Sequence, residues 1–367
     1  MIKKVNRPLK ILYLSTCLFP WESGCWLYRS RIPSAELQKR GHEVQFILPV
    51  KTLNKKWLDY PDVVVYGVYG GTYPFDPIPS INEFKKRGVK IVYDLDDDLF
   101  TVNPDNPCKA DVKTRLSQAK ELLRIADTVT TTTDVLKKKF RKYNKNVMIC
   151  PNSLDFSKFP KRKGSGKEFR IGYSGAASHW GDLSLVIDVL TELQKKYDFR
   201  FILQGMSGRP IIADIYNYRM ILRQGLQPEK KQFYEVALKV FDKIRKLKYV
   251  HIPFYPPEIY PSILAPLDLD IGICPLKSNV FNEAKSCQKF YEYATTGTVT
   301  ISSDVLPYNK EVGYCAKNTF KDWYRKLEKL IVNKKFRDNL LKKQQEFVFK
   351  KRDIKEVAKL WEKALTF

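Results

Sequence analysis

Short apolar, β-branched runs alternate with helix-like stretches along this chain, and they do so twice, on either side of a basic break. Leu9–Ser15, Glu43–Pro49, Asp62–Tyr69, Val89–Tyr93, Thr128–Thr132 and Asn146–Cys150 read as strands. Between them, helices are expected over Pro33–Arg40 and Ile81–Arg87, each stopped by a glycine, then over about Lys113–Ala126 and Asp134–Tyr143. Alternation at this spacing specifies a parallel sheet covered by helices. The run Phe159-Pro-Lys-Arg-Lys-Gly-Ser-Gly-Lys167 has no periodicity and reads as a linker. The alternation then restarts, with strands at Arg170–Ser174, Arg200–Gln204, Val250–Phe254 and Leu269–Cys274 and a helix over Leu183–Lys196. Long basic helices close the chain over Phe320–Phe367. With 367 residues, 44% of them hydrophobic, the chain can fill two cores. The expected fold is α/β: two doubly wound domains, 1–160 and 168–345, facing a cleft, and a C-terminal helix at 346–367 that crosses back.

The most informative local segment is Glu283-Ala-Lys-Ser-Cys-Gln-Lys-Phe-Tyr-Glu-Tyr-Ala-Thr-Thr-Gly297, followed by the strand Thr298–Ser303. Read as one helix, it carries Lys285, Lys289 and Glu292 at i, i+4 and i+7, on a single face. Two ammonium groups near a helix start suit a diphosphate. A carboxylate two turns on can accept both hydroxyls of a ribose. The combination asks for a nucleotide diphosphate, with a sugar attached. The competing reading is an amphipathic surface helix with solvated lysines.

This segment resembles the nucleotide-sugar motif of retaining family-4-type glycosyltransferases, which have two Rossmann-like domains (the GT-B architecture). Glu292 matches the second of that motif's two acids. The first falls on Ala284, with Glu283 one residue out of register. Pro151-Asn152-Ser153-Leu154-Asp155 is similar to the turn ending the first domain in that family. Ile171-Gly-Tyr-Ser-Gly175 with Ala176-Ala-Ser-His-Trp-Gly-Asp182 resembles the strand and phosphate loop opening the second. The resemblance implies a nucleotide diphosphate sugar donor, a UDP-sugar being favoured, held by Gly24, Arg29, Gly175, Ser178, Lys285, Lys289 and Glu292. It implies retention of anomeric configuration without a metal. The family's basic pair in the phosphate loop is replaced by His179 and Trp180, so His179 is expected to bond to donor phosphate or sugar.

Tyr93-Asp94-Leu-Asp96-Asp97-Asp98 places four carboxylates at the end of a buried strand, where they repel unless protons or cations intervene. The readings are a metal-binding D-x-D, a solvated acidic turn, or cleft-facing carboxylates. The last is preferred, with Asp94 or Asp96 orienting or activating an acceptor hydroxyl. His42 and His251 read as structural.

The charge balance, 65 Lys+Arg against 40 Asp+Glu for a formal +25, points to a polyanionic partner. Seven scattered cysteines without a C-x-x-C pair give no disulfide or zinc framework. With no long apolar run and no signal sequence, a cytoplasmic location is expected, peripheral to a membrane at most. The long connection at about 205–248 is basic with interleaved aromatics, among them Tyr216, Tyr218, Phe233 and Tyr234. It is read either as an acceptor-binding insert or as a helical pair on the domain flank. The acceptor ranked first is DNA carrying a 5-hydroxymethylated base, as in phage-type DNA glycosyltransferases. A glycolipid or envelope polymer at an anionic membrane surface is the alternative. A non-catalytic nucleic-acid-binding protein on the same scaffold is the third reading. Nothing in the sequence points to a protein partner.

Overall fold

Among the described residues, twelve strands form two six-stranded sheets, and every pairing in both is parallel. The structure is a computed structural model and describes residues 7–15, 23–48, 53–67, 76–107, 109, 112, 115–164, 166, 168–206 and 217–366. In the first sheet the strands are β1 (Lys10–Ser15), β2 (Glu43–Ile47), β3 (Val63–Gly67), β4 (Lys90–Asp94), β5 (Thr128–Thr131) and β6 (Val147–Ile149). Their spatial order is β2-β1-β3-β4-β5-β6. The second sheet holds β7 (Arg170–Gly175), β8 (Arg200–Gly205), β9 (Tyr249–Ile252), β10 (Ile271–Cys274), β11 (Val299–Ser303) and β12 (Cys315–Ala316). Its order is β12-β11-β10-β7-β8-β9. The direction of winding reverses beside β1 and beside β7, which puts a crevice at the carboxyl ends of those strands. The expected two-domain α/β architecture is what the chain adopts.

Element ends moved for local reasons. β9 ends at Ile252 because Pro253 cannot donate to the ladder. The helix expected over Leu183–Lys196 is a short turn at Trp180–Leu183 and a separate helix at Ile187–Lys196. The helix expected from Lys113 is described as Leu116–Ile125. The ends of the expected strands at Pro49 and Val68–Tyr69 lie outside the described residues. The stretch 17–31, expected as a loop, is described from Ser23 and is helical from Gly24 to Arg31.

The C-terminal region is three helices: Phe320–Val332, Lys334–Lys351 and Ile354–Thr366. The second stays with the second domain. Its buried Gln344 accepts a hydrogen bond from Thr300 N–H (2.9 Å) and donates to Thr300 O (2.7 Å) in β11. The crossing therefore occurs at Arg352–Ile354, several residues later than the expected 346. There Leu154 N–H donates to Arg352 O (2.8 Å) and Ile354 N–H to Leu154 O (3.1 Å). The two interdomain passes of the chain thus run side by side.

The last helix packs on the first domain. Val357, Trp361, Ala364 and Leu365 are buried in one cluster with Leu9, Ile11, Tyr13 and Leu37. Among the described residues no helix is long and apolar enough to cross a membrane. Truncating the fully buried Trp361 to alanine is expected to cost about 3–5 kcal/mol, read as a lowered urea midpoint. The same truncation at the neighbouring, exposed Leu360 should stay within about 0.5 kcal/mol.

Candidate functional site

The crevice between the sheets holds a cavity of about 290 Å³, lined from both domains. The first domain brings the segment that begins at Gly24, the turn after β4 and Asn152. Gly24 opens a helical segment that runs through Leu27–Arg31 into the Ile32–Lys39 helix, carrying Cys25 and Tyr28 to the cavity wall. Arg29, on the same segment, turns the other way. It is fully buried and pairs with Asp94 through Nη2–Oδ1 (2.5 Å) and Nε–Oδ2 (3.1 Å). Its Nη1 donates to Cys150 O and to Asn152 Oδ1, and its guanidinium lies 4.8 Å from the Trp361 ring.

Pairing also divides the acidic run. Asp94 is taken by Arg29 and by Thr130 Oγ1 (2.7 Å). Asp98 is taken by Lys139 and Thr101. Asp96 and Asp97 remain to line the cavity. Burial, reinforced by Asp97, pushes the Asp96 carboxyl up to about 7, against the pull of Arg29.

The second domain supplies the opposite wall. A Cβ at Gly175 would stand 2.9 Å from Tyr173 Cε1 and 3.0 Å from Lys289 Cε, so any larger residue here would crowd the Tyr173 ring and make the lysine shift. The segment expected as one helix is broken: Val280–Glu283 ends at Ala284, and the next helix begins at Gln288 and runs to Thr296. Lys285 thus stands in the connecting turn and Lys289 in the first turn of the second helix. Both still line the cavity, with Glu292. Their ammonium groups lie over the rings of Phe281 (4.7 Å) and Tyr173 (5.6 Å), and neither forms an ion pair among the described residues. Burial, with help from Lys285, holds the Lys289 ammonium below the usual lysine range.

Glu292 accepts from Tyr28 OH (2.5 Å) across the domain boundary, from Gln288 Nε2 (3.0 Å) and from Tyr260 OH (3.2 Å). Burial raises its carboxyl despite these donors. His179 Nδ1 lies 2.8 Å from Asp182 Oδ2. Burial and the two lysines pull its imidazole down to about 3, leaving it neutral at physiological pH.

At the sequence level no family model and no curated protein matches the chain. Solved structures do. An alpha-glucosyltransferase in complex with UDP and a 13-mer DNA containing an HMU base superimposes with a TM-score of 0.64 at 12% identity, over 98% of this chain and 100% of that one. A glycosyltransferase from Rickettsia africae ESF-5 matches at 0.61 and 11% identity, covering 98% and 99%. OtsA, in its apo form, matches at 0.59 and 11% identity with the same coverage. The fold is that of the two-domain GT-B glycosyltransferases.

On this GT-B chain the expected residues fall into three groups. Gly24, Asp96, Gly175, His179, Lys285, Lys289 and Glu292 line one cavity. Ser178 lines a smaller adjoining pocket with Asp105 and Lys277. Arg29 and Asp94 do not reach the cavity: an arginine with four polar contacts in a water-free site cannot also face a ligand, which corrects the expectation for both. Ala284, where the resemblance would have an acid, is 1% exposed and packs into the first domain's core, its carbonyl accepting from Thr133 Oγ1 (2.9 Å). The insert's aromatics also turn inward. Tyr218, Phe233 and Tyr234 are buried with ring centroids 4.7–5.6 Å apart, leaving Arg223, Arg245 and Lys246 exposed. The flanking helical pair describes them and base stacking does not; Tyr216 lies outside the described residues.

His42 Nδ1 accepts from Leu9 N–H (3.1 Å) and His251 Nε2 donates to Gly205 O (2.9 Å). Tyr28, Gln288, Tyr260, Asn152 and Asp182 went unmarked in sequence. Of these, Asn152, Asp182 and Gln288 sat in segments that were read for other residues.

Replacing Arg29 alone by methionine strands Asp94 in the core and is expected to cost about 3–5 kcal/mol in urea unfolding. Replacing both (Arg29→Met with Asp94→Leu) should recover much of that loss, because the desolvation of the pair disappears with it.

Proposed function

We propose that the chain is a glycosyltransferase moving a sugar from a nucleotide diphosphate sugar, with a UDP-sugar favoured, to a hydroxyl group. The observation that carries this reading is the convergence of Lys285, Lys289 and Glu292 on one cavity at the switch points of two parallel sheets. Two ammonium groups without carboxylate partners form a vacant electrostatic complement to a diphosphate. They stabilise the negative charge that grows on it as the glycosidic bond breaks. Glu292, held by three donors, is fixed in orientation to accept the ribose hydroxyls. Gly24 and Gly175 let backbone approach from either side. Asp96, poised near neutrality, orients the acceptor hydroxyl and exchanges its proton.

The neighbours' contents favour this donor: UDP-glucose in one alpha-glucosyltransferase complex and UDP in others. Retention of configuration without a required metal is part of the proposal, and EDTA should leave the rate unchanged. A non-catalytic nucleic-acid-binding protein would gain nothing from a lysine set in an interdomain cavity without an ion-pair partner among the described residues.

The proposed acceptor is a 5-hydroxymethylated base in DNA. The formal charge of +25 and the exposed arginine and lysine side chains of the insert suit a polyanion, and the structurally similar alpha-glucosyltransferase is in complex with DNA containing an HMU base. One observation favours a glycan or envelope polymer instead: the insert's aromatics are buried and cannot stack on bases. TarM of S. aureus, in complex with Fondaparinux, alpha-GlcNAc-glycerol and UDP, matches 82% of this chain at a TM-score of 0.55, although over only 55% of its own length.

Donor hydrolysis across UDP-, GDP- and ADP-sugars, with plain duplex or duplex carrying 5-hydroxymethylcytosine, tests the reading. UDP release stimulated by the modified duplex alone is expected. Slow release indifferent to DNA would move the acceptor to glycan or lipid. No release and no donor-induced rise in melting temperature would sink the enzyme reading.

Lys289 gives a second test. Its ammonium is held below the usual lysine range, so raising the pH neutralises it earlier than a free lysine, and UDP binds the charged form. UDP affinity should therefore fall with rising pH, beginning below about 10.4. The Lys289→Met variant should lose about 10–100-fold in UDP affinity together with that pH dependence, as expected for one charge-assisted contact. Without donor it should melt no lower than the wild type, because a buried ammonium without an ion pair no longer has to be desolvated.

A further inference from the structure

One polar group in the cavity wall has its chemistry fixed from behind. His179 is 13% exposed and Asp182 7%, and their 2.8 Å contact joins Nδ1 to a carboxylate. Asp182 is itself immobilised. Its Oδ1 accepts from Lys277 N–H (2.8 Å) and from Asn282 Nδ2 (3.2 Å), and Asn282 also donates to Lys277 O (3.0 Å). The same Lys277 reaches across the domain boundary to Asp105 (2.9 Å). Burial opposes the charge on Asp182, but the hydrogen bonds from His179 and Lys277 outweigh it and hold the carboxyl below its usual range. An anion has no proton to give, so the Nδ1–Asp182 bond requires the proton on Nδ1. In a neutral imidazole Nε2 is then a lone pair, and no described side chain or backbone group hydrogen-bonds to it.

We propose that Asp182 is a positioning residue that locks His179 as a hydrogen-bond acceptor toward the cavity, so that His179 reads a hydroxyl or N–H of the transferred sugar and not the diphosphate. The inference rests on the donor reading above and narrows it. A lone pair repels phosphate oxygen, which leaves anion contact to Lys285 and Lys289. A neutral acceptor beside two lysines suits the next part of the donor, where hydroxyl groups replace charge.

The chain has three histidines, so the tautomer can be read directly by long-range ¹⁵N–¹H spectra of the full-length, ¹⁵N-histidine-labelled protein. The groups facing the ring are Asp182, Lys285 and Lys289, with the Asp105–Lys277 pair behind them. The expected spectrum has a protonated Nδ1 and a bare Nε2, without titration over about pH 5–8. A protonated Nε2, or a midpoint near the ordinary value of about 6.5, would overturn the proposal.

Calorimetry with UDP and with UDP-glucose supplies the functional arm. In Asp182→Asn and in His179→Ala, UDP should bind as in the wild type, while the advantage of UDP-glucose over UDP shrinks about tenfold, the value of one neutral hydrogen bond. Should Asp182→Asn fail to fold, His179→Ala carries the comparison alone. Equal losses for both ligands, or an unchanged advantage, would overturn the inference while leaving the donor reading in place. Failure of the wild type to bind either ligand would remove the donor reading, and the sugar contact with it.

Discussion

A guanidinium sealed from water holds the first domain's loops in register with the rest of the molecule. Taking Arg29 and Asp94 out of solvent is expensive, and the cost is met only while every polar atom has a partner in good geometry. The bidentate bond to Asp94 ties the helical segment after β1 to the end of β4. The bond to Cys150 O ties it to the exit of β6, and the Trp361 ring brings the crossing helix onto the same group. Asn152 extends the network into the second domain: its Oδ1 accepts from Arg29, and its Nδ2 donates to Ser286 Oγ (3.0 Å), next to Lys285. The turn that presents a lysine to the cavity is thereby referenced to a charge buried in the other domain.

That network also explains how four carboxylates in five residues coexist. Their mutual repulsion is relieved by dividing them, two to cations inside the protein and two to the cavity. The pair left in the cavity cannot both stay ionised easily, and burial places the remaining strain on Asp96. A structural ion pair is therefore what leaves Asp96, and not Asp94, as the group able to exchange a proton near neutrality.

The sheet architecture was legible because it depends on local pattern. β-branched runs, helix-stopping glycines and a basic linker recur wherever a parallel sheet must be covered and a domain closed. Lys285, Lys289 and Glu292 were legible as a constellation, although the helix meant to align them is broken at Ala284–Cys287. The turn preserves the convergence that a continuous helix was invoked to supply. What periodicity cannot report is which of two plausible partners a side chain takes. Arg29 follows a glycine-bearing loop and was assigned to the ligand, but its best partner lies 65 residues away in sequence. The aromatics of the insert alternate with basic residues as a nucleic-acid surface would, yet helical spacing gathers Tyr218, Phe233 and Tyr234 into the core while the charges stay outside. Tyr28 lies next to the marked Arg29 but was not itself singled out. Its role arises only when a residue 264 positions away is brought within hydrogen-bond reach.

The two walls of the cavity differ in kind, and the difference bears on any polyanionic acceptor. On the second domain stand Lys285 and Lys289, two ammonium groups without an ion pair among the described residues. On the first, Asp96 and Asp97 present carboxylates to whatever approaches from the opposite side. On the proposed reading, a nucleic acid attracted by the chain's formal net charge of +25 would meet local repulsion where its hydroxyl must enter. Raising the Asp96 carboxyl toward neutrality softens that repulsion, because a protonated acid carries no charge and can donate to an incoming oxygen. The same proton must then be released for Asp96 to take one from the acceptor. A group that titrates near 7 meets both demands, whereas one in the ordinary carboxylate range meets only the second. Under the proposed function, long-range attraction and short-range chemistry would fall to different residues: exposed lysines and arginines would collect a polyanionic acceptor, and the buried Asp96 carboxyl would receive its hydroxyl.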